Sequence, residues 1–155
     1  MENVIISSFI RILERDLGKL EAEINQYTDE TLLWKTSGEI INPAGNLCLH
    51  LCGNLQHYIG VQLGNSDYKR NRPLEFSAKN IPREKLLQEI VKTKESVITA
   101  LENLSDSELD EIYPEEVLGY PMTTGFFLIH LTAHLSYHLG QVNYHRRLVL
   151  NFPKV

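Results

Sequence analysis

The stretch Gly125–Arg147, GFFLIHLTAHLSYHLGQVNYHRR, carries four of the chain's six histidines: His130, His134, His138 and His145. The first three recur at every fourth position. On a helix turning about 100° per residue, with His130 at zero, His134 falls at about 40°, His138 at about 80° and His145 at about 60°. Tyr137 and Gln141 fall at about −20° and about 20° by the same count. The intervening positions are Leu128, Leu131, Leu135, Leu139 and Val142, so one polar seam runs down an apolar helix. Two chemistries compete for such a seam. Either it holds a metal, or it is a row of interior histidines, each of which needs hydrogen-bond partners because an unpaired buried imidazole is costly.

Distance limits the metal reading. At a rise of about 1.5 Å per residue, His130 and His138 stand about 12 Å apart along the axis, whereas metal–nitrogen bonds are about 2.0–2.1 Å long. One ion can take His130 with His134, or His134 with His138, but not all three. A further ligand has to come from elsewhere, and NLCLHLCGNLQHYIG offers His50 and His57. These two share a face but lie about 10.5 Å apart along a helix, so only one can join the same ion. Asn46 and Asn54 flank His50 within about 40°, while Cys48 and Cys52 fall about 160° away and read as small core residues. Glu-x-x-His, which marks di-iron carboxylate bundles, is absent, as is the His-Glu-x-x-His of zinc proteases. A haem held by two axial histidines stays open, though without an attachment motif, and no carboxylate is placed by the sequence as an obvious general base.

Four segments of helical period would have to position these residues. Ile6, Phe9, Ile10, Leu13, Leu17, Leu20 and Ile24 recur at steps of three and four. The second segment starts at INPAGN, with Asn42 as expected cap and Pro43 at the first helical position, and runs to Leu63. The third has Asn80 as expected cap, Pro82 near its start, and a stripe of Leu86, Leu87, Ile90, Val91, Val97, Ile98, Leu101 and Leu104. The fourth is capped by Thr123 or Thr124 and runs to about Leu150, ahead of Pro153. No strand alternation is evident, and the fold class is an all-α four-helix bundle. The link GNSDYKRNRPLEFSAKN is far longer than a tight bundle turn and fits a crossover between helices two and three. Its Lys69, Arg70 and Arg72 read as a solvated loop or as a basic rim for an anionic substrate. The acidic SDSELDEIYPEEVLGYP calls for a short helical turn around Leu109.

The chain has 155 residues, the size of one domain spanning 1–155. Its 43% hydrophobic and 23% charged residues read as soluble and globular, and a net charge of −5 argues against a nucleic-acid partner. No apolar run reaches the roughly 18 residues of a membrane span, and MENVIISSFIRILERDLGK lacks the features of a signal peptide. With Cys48 and Cys52 alone there is no disulfide framework, so a reducing compartment, the cytoplasm, is expected.

The tracts NPAGNLCLHLCGNLQHYIG and LIHLTAHLSYHLGQV, with LLWKTSGEIINPAGNL and its Trp34 leading into the first, resemble the DinB-like superfamily of metal-dependent enzymes. The resemblance covers essentially the whole chain. It implies an up-down-down-up four-helix bundle with one divalent metal, nickel or zinc, held by three histidines. Carried over, the ligands are His50 from the second helix and His134 and His138 from the fourth. Leu139 stands where the family often has Arg. Some relatives resemble thiol-dependent S-transferases or isomerases that use a low-molecular-weight thiol as cosubstrate, and others are called hydrolases. The expected function is metal-dependent thiol transfer or hydrolysis on a small-molecule substrate, with His57, His130 and Tyr137 lining the pocket. The rival expectation is a non-enzymatic metal- or ligand-binding bundle, a homodimer with a stress-related role.

Overall fold

A computed structural model describes residues 4–151. Its helices are α1 (Val4–Asn25), α2 (Ala44–Leu55), α3 (Arg72–Ser77), α4 (Arg83–Glu102), α5 (Asp106–Asp110) and α6 (Thr124–Leu150). A 3₁₀ turn, Glu30–Trp34, follows α1, and α2 runs on without a break into a π turn, Gln56–Val61. Among the described residues there is no β-strand, only two isolated bridges, Ser37 with Ile40 and Ile112 with Thr123. The stop expected at Pro153 lies outside the described residues.

The long helices form as their apolar periods require. Leu13, Leu17, Leu20 and Ile24 of α1 are fully buried, and each such side chain contributes roughly 1.5–3 kcal/mol by leaving water. On α4 the stripe is narrower than expected: Leu86, Ile90, Val97 and Leu101 are buried, but Val91 is 45% exposed and Thr93 fills the core position instead. Thr93 is tolerated there because its hydroxyl donates to the Glu89 carbonyl (2.7 Å).

Two expected caps are corrected. Pro43, in an extended conformation, is itself the cap residue of α2, and Asn42 lies one position outside it. Asn80 takes a left-handed φ of 56°, a turn that Asn tolerates, and the cap of α4 is Pro82. Thr123, by contrast, caps α6 by accepting from the Phe126 amide (3.2 Å). The turn expected at Leu109 is α5, closed by a Ser105–Glu108 capping box.

Side-chain pairs give the helix directions. Glu14 meets Lys94 (3.8 Å), and Arg83 at the start of α4 bonds the Tyr27 carbonyl beyond the end of α1, so α1 and α4 are antiparallel. Glu23 near the end of α1 accepts from Asn143 (2.7 Å) and Arg146 (2.6 Å) near the end of α6, so these two run parallel. Gly60 lies against Ser96 and Gly64 against Ala100, making α2 and α4 parallel. A Cβ on Gly64 would come within 2.7 Å of the Ala100 Cβ, so that approach needs glycine. Tyr58 packs on Phe127 and His50 faces His134, so α2 opposes α6. The bundle is up-down-down-up. α1 and α2 occupy its diagonal, each packed on both α4 and α6; because α2 and α4 are parallel neighbours, the link between them, which contains α3, has to run back along the bundle.

Candidate metal centre

Three imidazoles converge where α2 crosses α6. His50 comes from α2 and is 7% exposed; His134 and His138, one turn apart, come from α6. One nitrogen of each lies within 4.8 Å of the other two. His50 Nε2 and His134 Nε2 are 3.3 Å apart, and the His134 and His138 ring centroids are separated by 4.6 Å. Two ligands on a tetrahedral ion with bonds of 2.0–2.1 Å stand about 3.3–3.4 Å apart, which the His50–His134 spacing matches.

The outer nitrogens are partly spoken for. His50 Nδ1 is hydrogen-bonded to Glu75 Oε1 (3.1 Å) and His138 Nδ1 to Gln141 Oε1 (2.6 Å), leaving both Nε2 atoms for the centre. His134 Nδ1 is buried and unpartnered. Burial, reinforced by the neighbouring His138, His50 and His130, drives the His134 pKa down to about 3. Burial also lowers His138, against the opposing pull of Gln141. Neutral imidazole is the form that ligates a metal.

A DinB superfamily profile matches residues 12–142. The chain belongs to the DinB superfamily. A DinB-like protein from Bacillus cereus has the same fold, with a TM-score of 0.71 over 96% of each chain at 17% identity. No curated protein matches the sequence. Membership in the DinB superfamily and the histidine cluster are together compatible with a metal-binding enzyme and suggest a divalent metal.

The other histidines of this DinB-superfamily chain stand apart from the cluster. His145, on the same seam, is 3% exposed and bonded on both sides, to the Tyr27 hydroxyl (2.7 Å) and to the Lys35 carbonyl (2.7 Å). His130 stacks on Phe127 with centroids 5.7 Å apart, and its ring lies 6.2 Å from that of His134. His57, in the π turn, pairs with Glu115 (2.9 Å), which Gln62 also contacts. Tyr137 lines a cavity of about 590 Å³ that opens beside His138 and is walled by Ile40, Ile41, Leu47, Tyr144 and Leu148; His57 and His130 are not on its wall. Cys48 and Cys52 are buried in the core, and neither belongs to the histidine cluster. Hydrogen bonding to Cys52 and burial push the Cys48 thiol well above its ordinary pKa, an environment that disfavours a thiolate.

Two carboxylates that sequence reasoning passed over now stand against histidines, Glu75 on His50 and Glu115 on His57. Arg70 belongs to neither of the readings of the basic cluster: its guanidinium turns inward and holds both Glu75 oxygens, Nε to Oε2 and Nη2 to Oε1, each at 2.9 Å. Lys69 and Arg72 remain exposed. Burial alone would raise the Glu75 carboxyl, but the hydrogen bonds from Arg70 and His50 outweigh it and hold the group below its ordinary range. A signal for α3 was present in Asn71-Arg72-Pro73, an Asn cap with Pro in the first turn. A six-residue helix inside a long link shows no periodicity that could have pointed to it.

Proposed function

We propose that the chain is a metal-dependent enzyme in which His50, His134 and His138 hold one divalent ion, nickel or zinc. The observation that carries this is the convergence of three imidazole nitrogens within 4.8 Å of one another at the α2–α6 crossing. Three protein ligands leave open positions, the arrangement of a catalytic rather than a structural site. An ion held by these residues would supply Lewis acidity toward a water or thiol near neutral pH. The chain's own residues bind and orient the reactant. The cavity beside His138 is largely apolar and of small-molecule size, with Tyr137 and Tyr144 at its rim. His130 stacks beside the ring of His134, with centroids 6.2 Å apart.

The reaction we favour is S-transfer from a low-molecular-weight thiol to an electrophilic small molecule in the cytoplasm, with hydrolysis as the variant in which water replaces the thiol. The burial of both cysteines favours a thiol brought in by a cosubstrate. The test is turnover of an electrophile such as 1-chloro-2,4-dinitrobenzene by nickel- or zinc-loaded protein, with and without added thiols. Turnover that needs both metal and thiol supports the reading. Metal-bound protein inert towards every thiol and ester tried would contradict it.

A second reading is a non-enzymatic metal- or ligand-binding homodimer with a stress-related role. It is favoured by the exposed apolar face of α6, where Phe126, Ile129, Tyr137, Tyr144 and Leu148 are each at least 41% exposed. A face of this kind marks an interaction site when its residues are contiguous. Sedimentation of the metal-loaded protein, together with the turnover assay, separates the two readings.

A further inference from the structure

We infer that Glu75 is a positioning residue for the metal centre, that Gly53 is glycine to admit it, and that Arg70 clamps its carboxylate in place. The inference rests on the three-histidine reading and concerns how the crossover between α2 and α4 prepares one of the ligands.

His50 has two ring nitrogens, and only one can face the centre. Glu75 Oε1 lies 3.1 Å from Nδ1. A carboxylate only accepts hydrogen bonds, so this contact, shorter than the 3.5 Å from Arg70 Nη2 to the same nitrogen, puts the proton of a neutral His50 on Nδ1 and leaves Nε2 with the free lone pair that a metal requires. Carboxylate–histidine pairs of this kind set the ring's orientation and raise its basicity as a ligand. Of the three candidate ligands, His50 alone has a charged partner: His138 has the amide of Gln141, and His134 Nδ1 has none.

Three features hold the carboxylate in place. Arg70 takes both oxygens in a two-point clamp with its side chain 9% exposed, so the Glu75 charge is matched within the buried site. Asn46, one turn before His50, donates to the carbonyls of Glu75 (3.0 Å) and Ala78 (2.9 Å), which docks α3 onto α2. Gly53 supplies the space. A Cβ there would stand 2.0 Å from Glu75 Oε2, closer than any side chain permits. Glycine inside a helix otherwise weakens it, and at position 53 the approach of the carboxylate supplies the reason for it. Crossover, glycine and ligand therefore form one device, assembled only when α3 is docked.

The first test is on the unmodified protein without metal: long-range ¹H–¹⁵N NMR of the imidazoles reads the tautomer of His50. The device requires the Nδ1–H form, and an Nε2–H form overturns it. The second is Zn(II) affinity by competition with a chromophoric chelator, with folding checked by circular dichroism. Glu75→Gln keeps the shape but not the charge and is expected to weaken zinc binding about 10–100-fold. Gly53→Ala removes no polar group and favours the helix, yet is expected to weaken binding in the same direction by displacing the carboxylate. In a Glu75→Ala background, Gly53→Ala should cost no further affinity, because the two act through one contact. Lys79→Ala, exposed on the same segment, should bind as the wild type does. Wild-type zinc affinity in both Glu75→Gln and Gly53→Ala overturns the inference while leaving the three-histidine centre standing. Wild-type protein that takes up no zinc overturns the centre and the inference together.

Discussion

His138 and His145 sit seven residues apart on one seam of one helix, and burial lowers the pKa of both. What differs is the neighbouring elements. The Lys35 carbonyl can only accept, so His145 Nε2 carries the proton and Nδ1 accepts from the Tyr27 hydroxyl. Burial raises the Tyr27 pKa, which keeps that hydroxyl a donor. Both nitrogens are consumed, and His145 joins α6 to the end of α1 and the start of the α2 approach. His138 spends only Nδ1, on Gln141, and turns its other edge toward His50 and His134. A shared face is a property of the helix. The work done on that face is decided by what the rest of the chain places opposite.

The largest expected effects separate the two regions outright. His50→Ala, His134→Ala and His138→Ala should each reduce bound metal from about one ion per chain to a small fraction, read by metal analysis of folded protein. His145→Ala should keep the metal and lose about 1–3 kcal/mol of stability, because the buried Tyr27 hydroxyl loses its partner. A weaker version of the same change is Tyr27→Phe, at about 1–2 kcal/mol by chemical denaturation with metal content unchanged. If His145→Ala strips the metal while His138→Ala retains it, the division is drawn in the wrong place.

How much of this was readable beforehand follows from the same contrast. The bundle was legible because Leu13, Leu17, Leu20 and their counterparts repeat over whole helices, and that pattern survives local irregularity. The seam was legible for the same reason, as was the separation of His145 from His138 along the axis. The tyrosine and carbonyl that occupy His145 lie more than a hundred positions away in sequence, and no pattern on α6 encodes them. Glu75 was invisible because α3 is too short for periodicity, and Arg70 looked like part of a solvated charge cluster until its carboxylate partner was placed. The π turn at Gln56–Val61 likewise reads as ordinary helix, since one extra residue per turn barely disturbs a six-residue pattern.

Acid should sharpen the comparison next. In the metal-free fold His134 has a pKa of about 3, and His138 and His145 are also lowered. The unfolded chain takes up protons on all three near the ordinary value of about 6.5. Stability is therefore fully present above that pH and is lost as the pH falls from about 6.5 toward 3, because the unfolded state binds protons that the native state refuses. Urea midpoints measured against pH should show the decline, and His134→Ala should flatten it. A metal-free protein equally stable at pH 7 and pH 4.5 would mean these imidazoles are not held neutral. Metal occupancy should also fall on acidification, since protons compete for the ligands.

The smallest expected effect is that of the cysteines. Cys48→Ala combined with Cys52→Ala should leave metal content unchanged and cost about 1–2 kcal/mol for the buried volume lost, read by denaturation and metal analysis.

X-ray absorption at the metal edge of protein purified without a histidine tag tests the central claim most directly. With zinc or nickel bound, the edge should report imidazole nitrogens at about 2.0–2.1 Å, with no sulfur at about 2.3 Å unless thiol is added. That spectrum should be unchanged in His145→Ala and lost in His134→Ala. A sulfur ligand from the protein itself, or an imidazole shell that survives His134→Ala, would contradict the assignment of His50, His134 and His138.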